Sequence, residues 1–253
     1  MRTRLLSSVA LAGAIALAVG TTAHAQLVTN GDFTSGPAVN TQFGGPVAPF
    51  TGQPVTGWTG VGLQFYYQNA TAATVSALNQ YGDPFARFNP GTFVASPTGG
   101  GFVALDGDPL AQGSIHQTIS GLTVGAAYTL TFDWAASQLV TAHGATTDFL
   151  AVSFGADSFN TATDNVASQG FVGWNSVSHT FIASSTSEVL NFLSVGSPAG
   201  LPPIALLDNV VLAPPVTTRG GGVPEPATWA MMLIGFGGIG ALIRRRRHTL
   251  QTA

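Results

Sequence analysis

The sequence predicts an all-β protein, a jelly-roll-like β-sandwich ectodomain flanked by an N-terminal signal helix and a C-terminal transmembrane helix. Three observations carry this. Apolar and polar residues alternate with period 2 through most of the middle of the chain, the pattern of strands with one buried face. The 32 glycines and 15 prolines punctuate those runs at short intervals, as turns between short strands do. The two ends are apolar, uncharged stretches flanked by arginine, unlike anything between them.

The clearest strand is 127–135. Tyr128, Leu130, Phe132 and Trp134 point to one side, and Thr129, Thr131 and Asp133 to the other. Further strands are read at 27–33, 61–67, 102–106, 114–119, 148–154, 177–183, 188–195 and 204–212, with turn residues such as Asp106-Gly107, Ser120-Gly121, Gly155 and Gly173 between them. Nine short strands favour a sandwich or jelly roll. Residues 36–57 and 79–101 read as long Gly/Pro/aromatic loops, where binding tends to sit.

Charge narrows the function classes. Only 8% of residues are charged, against about a quarter in an average soluble protein. Lysine is absent, and residues 26–223 carry ten carboxylates against Arg87 and Arg219. This excludes a basic face for nucleic acid. Cysteine is absent, which excludes disulfides, thiolate metal sites and cysteine nucleophiles.

The ends divide the chain further. Arg2 and Arg4, an apolar run over 5–19 and the small-x-small pattern Ala23-His24-Ala25 predict a signal peptide over 1–25, cut by signal peptidase. The ectodomain spans 26–213 and a Pro/Gly linker 214–223. Residues 227–243 are apolar and uncharged, about 25 Å long as a helix and near the lower limit for a membrane span. Arg244, Arg245, Arg246 and Arg247 follow. At ~2.5–3.5 kcal/mol each at the bilayer centre they resist translocation, which leaves 248–253 as a cytoplasmic tail.

Pro224-Glu225-Pro226-Ala227-Thr228-Trp229-Ala230, the Gly-rich span and the arginine cluster resemble the PEP-CTERM sorting signal of the PEP-x-x-W-A type, over 224–247. The same segment is also labelled an ice-binding-protein C-terminal domain. The resemblance implies recognition and cleavage by an exosortase, with Pro224, Glu225, Pro226, Trp229 and the arginines as sorting residues. It also implies a transient membrane anchor, a cell-surface or extracellular destination, and an association with exopolysaccharide and biofilm. Two prolines suit the role, because they hold the tripeptide extended and accessible.

The middle also resembles a family. Leu27-Val28-Thr29-Asn30-Gly31-Asp32-Phe33 with Gly57-Trp58, the run Ile115-His116-Gln117-Thr118-Ile119, and Leu207-Asp208-Asn209-Val210 are similar to strands of galactose-binding-like and carbohydrate-binding jelly rolls. That resemblance implies a structural calcium between first and last strands. The family's carboxylate after the first-strand Phe is Thr34 here, which leaves Asp32 and Asp208 to supply oxygens.

No catalytic residues are assigned. His116, His143 and His179 lack metal-ligand spacing, and no nucleophile elbow or phosphate loop is present. Trp58, Tyr66, Tyr67 and Trp174, with Tyr81, are candidate sugar platforms, since a ring face and a polar tip suit stacking. The reading is an exported, non-enzymatic surface or matrix protein whose sandwich binds polysaccharide or serves a structural role. The alternatives are a secreted polysaccharide hydrolase and an ice-binding protein.

Overall fold

The computed structural model describes residues 27–38, 40–44, 55–75, 86–215, 231–236 and 244. The chain divides into two compact units, Met1–Pro214 and Pro215–Ala253. In the second unit, residues 231–236 are helical and exposed, as is Arg244. Among the described residues no helix is long and apolar enough to cross a membrane. The remainder of the expected span and the expected signal peptide lie outside the described residues. So do Ala23, Ala25, Tyr81, Pro224, Glu225, Pro226, Trp229, Arg245, Arg246 and Arg247.

The first unit is an antiparallel β-sandwich. Its elements are β1 (Thr41–Gly44), β2 (Thr59–Val61), β3 (Leu63–Tyr67), α1 (Ala70–Thr74), β4 (Phe102–Asp106), β5 (Ser114–Ser120), β6 (Ala127–Gln138), β7 (Thr146–Phe154), β8 (Asp157–Asn160), β9 (Asp164–Val166), β10 (Phe171–Ile182), β11 (Ser187–Ser197) and β12 (Pro203–Ala213). One six-stranded sheet has the order β1-β3-β4-β12-β6-β10. The other runs β2-β5-β11-β7-β8, with β9 also paired to β7. The all-β jelly-roll-like class is the expected one. The last strand closes the fold from the middle of its sheet, so the core is complete only when the C-terminal end of the unit has paired.

Alternation decides which side chains fill the core. Tyr128, Leu130, Phe132 and Trp134 of β6 point between the sheets, where they meet Leu150, Val152 and Phe154 of β7 and Phe192 of β11. Trp134 is 2% exposed. The opposite face of the six-stranded sheet carries a second cluster built on Phe65, Tyr67, Phe102, Ala104, Ala135 and Leu206. Ala73 of α1 and Phe88 and Phe93 of the following segment cover that cluster. The short α1 is started by Asn69, whose Oδ1 accepts from the N–H of Ala72 at 2.8 Å.

Residues 27–33 are turns rather than the expected strand. Asn30 and Phe33 have φ of 52° and 48°, left-handed values that no continuous strand accommodates. The segment still docks on the last strand, with the N–H of Val210 donating to the carbonyl of Gly31 at 2.8 Å. Glycine is required there, because a Cβ on Gly31 would lie 1.9 Å from the Val210 carbonyl oxygen. Several strands extend beyond their expected bounds, most of all β6, which reaches Gln138, and β10, which begins at Phe171 rather than at 177. The expected strand 61–67 is two, β2 and β3, which part at Gly62 (φ 77°) and join different sheets. The short β1, β8 and β9 were not read from the sequence.

Candidate functional site on the twin-bulge face

Both neighbours of β6 slip by one residue, β10 opposite Ala135 and β12 opposite Phe132. On β10 the register shifts between Val172 and Asn175, the latter opposite Trp134. On β12 it shifts between Asp208 and Val211, with Asp208 opposite Asp133. An inserted residue bends a strand and re-aims side chains. Here the two bulges bring Trp174, Asp133, Asp208 and Asn209 to one stretch of the sheet face opposite the main core, while Asn175, paired with Trp134, lies on the other face. Asn209 is the extra residue on β12, and its φ of 53° suits asparagine better than most side chains.

A hydrogen-bonded network fixes these groups. Asp133 accepts from the Ser176 hydroxyl and, at 3.0 Å, from the side-chain amide of Asn209. Asp208 accepts on one oxygen from the hydroxyls of Ser96 and Thr98. Its other oxygen accepts from the Asn209 N–H at 2.6 Å. The segment after Phe88 is thereby tied to the sheet. Burial pushes the Asp208 carboxyl up to about 6. The Ser96, Thr98 and Asn209 donors oppose the shift, and the Asp133 charge adds to it.

Trp174 stands beside this network. It is half-buried, its Nε1–H donates to the Val94 carbonyl at 3.0 Å, and its ring meets Phe102 and Phe171 edge-on at 6.0 and 6.5 Å. Ser176 and Asn209 are exposed on the same face. A fixed indole with amide and hydroxyl groups next to it can stack on a sugar ring and hydrogen-bond its hydroxyls.

The other expected platforms are core residues, a correction to the sequence reading. Trp58 is 3% exposed, packs on Phe33 and Phe192, and donates to the Asn30 carbonyl at 3.1 Å. Tyr66 lies in the inter-sheet core and its hydroxyl donates to the Phe33 carbonyl at 3.2 Å. Tyr67 lies in the second cluster between Phe88 and Phe102, and its hydroxyl donates to Ala86 at 2.9 Å. Burial raises the pKa of both phenols. None of the three offers a ring face to a ligand.

The residues named for calcium are already engaged within the protein. Asp32 is exposed and turned onto its own turn, where it accepts from the N–H and hydroxyl of Thr34 at 3.3 and 3.0 Å. The donors around Asp208 suit a carboxylate held by protein groups. Among the described residues no group of three or more His, Cys, Asp or Glu side chains is placed to hold a metal. His143 is exposed beside Gln169, and His179 stacks on Phe159 at 4.0 Å.

Asp133, Ser176, Ser96, Thr98 and Asn209 were not singled out from the sequence. The usable signal was the alternation of β6, which puts Asp133 on the face away from the core.

The fold and site together define an antiparallel sandwich with a polar-aromatic patch on one sheet face. The chain carries a PEP-CTERM protein-sorting motif, whose family model matches residues 222–247. The model of a second family, described as protein of unknown function DUF642, matches residues 87–212. No curated protein matches the chain. Among solved structures, the chain is similar to TmCBM61 in complex with β-1,4-galactotriose, at 14% identity, covering 76% of this chain and 99% of that one with a TM-score of 0.42. It is also similar to the CBM22-1 xylan-binding domain from Paenibacillus barcinonensis Xyn10C, at 11% identity, 72% and 90% coverage and a TM-score of 0.36. A third similar structure is the K3 cleaved adhesin domain of Lys-gingipain from Porphyromonas gingivalis, at 14% identity, 62% and 89% coverage and a TM-score of 0.33.

Proposed function

We propose that this is an exported surface or matrix protein whose sandwich binds a neutral polysaccharide on the twin-bulge face, without catalysing a reaction on it. The sorting motif implies export to the cell surface or extracellular space. In this reading signal peptidase removes the N-terminal segment, and an exosortase processes the tail after a transient membrane-anchored stage.

The observation that carries the binding reading is the half-exposed Trp174 on the same sheet face as Ser176 and Asn209. Charge selects the class of glycan. Ten carboxylates and two arginines over 26–223 repel an anionic polymer, whereas stacking on an indole needs no charge. The non-enzymatic reading is supported by Asp133 and Asp208, which are buried at 4% and 0% exposure and held by hydroxyl and amide donors. Neither is positioned as a free acid or base toward a substrate. The test is a glycan screen of the full-length chain in mild non-ionic detergent, with neutral and anionic polysaccharides side by side. Retention of neutral glycans, with the glycosidic linkages intact after prolonged incubation, supports the proposal. Cleaved linkages would replace it with the hydrolase reading.

A further inference from the structure

The inward row of β7 does not end in apolar residues. Burial alternates along the strand so that Thr146, Asp148, Leu150, Val152 and Phe154 all face inward, and the last three belong to the core between the sheets. Asp148 and Thr146 therefore continue that row at one end of the sandwich. Asp148 has no exposure and Thr146 only 3%. The Ser194 hydroxyl lies 3.0 and 3.2 Å from the two Asp148 oxygens, but its single proton satisfies one of them at a time.

The surroundings add negative charge. Asp164 of β9 is the direct cross-strand partner of Asp148, a pairing that places Cβ atoms about 4.5–5.5 Å apart. Asp106, 3% exposed, ends β4 just before the turn at Gly107 that passes over the site; its Oδ1 accepts from the Asp108 N–H at 2.7 Å, and its charge acts on Asp148. That turn approaches closely enough that a Cβ on Gly107 would lie 3.0 Å from an Asp148 oxygen and 2.8 Å from the Ser194 hydroxyl. Burial, then repulsion from Asp106 and Asp164, raises the pKa of Asp148 against the donors Ser194 and the Phe149 N–H. Among the described residues no cation acts on Asp148, and Arg87 is the one Lys or Arg of that stretch between 27 and 215.

Two buried oxygens at the same place have no hydrogen-bond partner: Thr146 Oγ1 and Asp164 Oδ2. Buried polar atoms are nearly always satisfied, and buried charges are paired or bind metal. Thr146 sits two residues before Asp148 on the same face, and Asp164 lies directly across from it. A free hydroxyl and a free carboxylate oxygen thus flank a carboxylate that has no counter-charge among the described residues.

We propose that the carboxylates of Asp148 and Asp164 and the hydroxyl of Thr146 bind one calcium ion at this end of the sandwich. Hard oxygen donors in an irregular arrangement suit calcium, with water completing its shell. Asp106 adds long-range attraction, and the half-buried Asp164 gives the ion its route from solvent. The site is separate from the twin-bulge face, which lies on the opposite side of the six-stranded sheet.

The test is calorimetric titration of calcium chloride, with magnesium chloride as control, into the full-length chain stripped with EDTA in mild detergent at pH 7.5, together with thermal melts. The expected result is one calcium per chain and a Tm rise of roughly 5–10 °C at about 100-fold excess over Kd. Asp148→Asn should abolish both. Thr146→Val, which keeps shape and removes only the hydroxyl, should weaken binding by roughly tenfold or more. Asp32→Asn and Asp208→Asn should leave binding unchanged. No heat and no Tm shift for the wild-type chain up to ~10 mM calcium would overturn the proposal. So would full binding by a folded Thr146→Val or Asp148→Asn chain, or loss of binding only on substitution of Asp32 or Asp208.

Discussion

Asp208 should make the sandwich less stable as pH rises from about 4 to about 6. The side chain is fully buried on the twin-bulge face, and burial lifts its carboxyl from the ordinary 3.8 to about 6. Below pH 4 both folded and unfolded chains hold the proton, so the group favours neither. Between 4 and 6 the unfolded chain releases it while the folded chain keeps it, and unfolding gains with each step in pH. Above 6 both states are ionised and the cost levels off. A shift of about two units at 1.36 kcal/mol per unit gives about 3 kcal/mol. Asp208→Asn removes the titration while leaving an oxygen to accept from Ser96 and Thr98. Urea unfolding of wild-type and Asp208→Asn chains at pH 3.5, 5, 6.5 and 8, with EDTA present throughout, measures the difference. The wild type should lose about 3 kcal/mol relative to the variant across that range. Parallel profiles, or a wild type that gains on the variant as pH rises, would refute the reasoning.

Three further outcomes follow from packing and from the ends. Trp134→Ala empties the centre of the inter-sheet core and should cost roughly 3–5 kcal/mol by denaturant unfolding; a cost under ~1 kcal/mol would contradict its placement. Gly31→Ala drives a Cβ into the Val210 carbonyl and should cost about 1–3 kcal/mol, read as a lower Tm. Intact-mass measurement of the extracellular protein should find a chain that starts at Gln26 and ends near Glu225; a secreted pool still carrying Arg244 to Arg247 would contradict processing at the sorting motif.

The parts of the fold legible in the sequence are those governed by local alternation. Tyr128, Leu130, Phe132 and Trp134 declare the inner face of β6 because nothing interrupts their period. Where the period breaks, the reading fails. The bulge at Gly173 and Trp174 hides the first half of β10, and the positive φ values of Asn30 and Phe33 turn an apparently good strand into turns. The aromatic residues failed for a different reason. Tyr66 and Tyr67 face opposite sides of β3, and alternation predicts that one of them reaches solvent. Both are buried because α1 and Phe88 and Phe93 cover the outer side, a consequence of long-range packing with no local signature. The candidate site was equally hidden. Asp133 and Asp208 meet only through the β6–β12 register, and Trp174 turns to that face only because a second bulge occurs on β10 opposite Ala135.

The central claim is that the twin-bulge face binds neutral glycan through Trp174. The most direct measurement is the affinity of the strongest neutral glycan from the screen for the wild-type, Trp174→Ala and Asn175→Ala chains, each with its Tm recorded. Trp174→Ala should lose on the order of tenfold in affinity or more, the equivalent of about 1.4 kcal/mol, and Asn175→Ala, on the other face of the sheet, should bind as the wild type does. Undiminished binding by a folded Trp174→Ala chain would contradict the account.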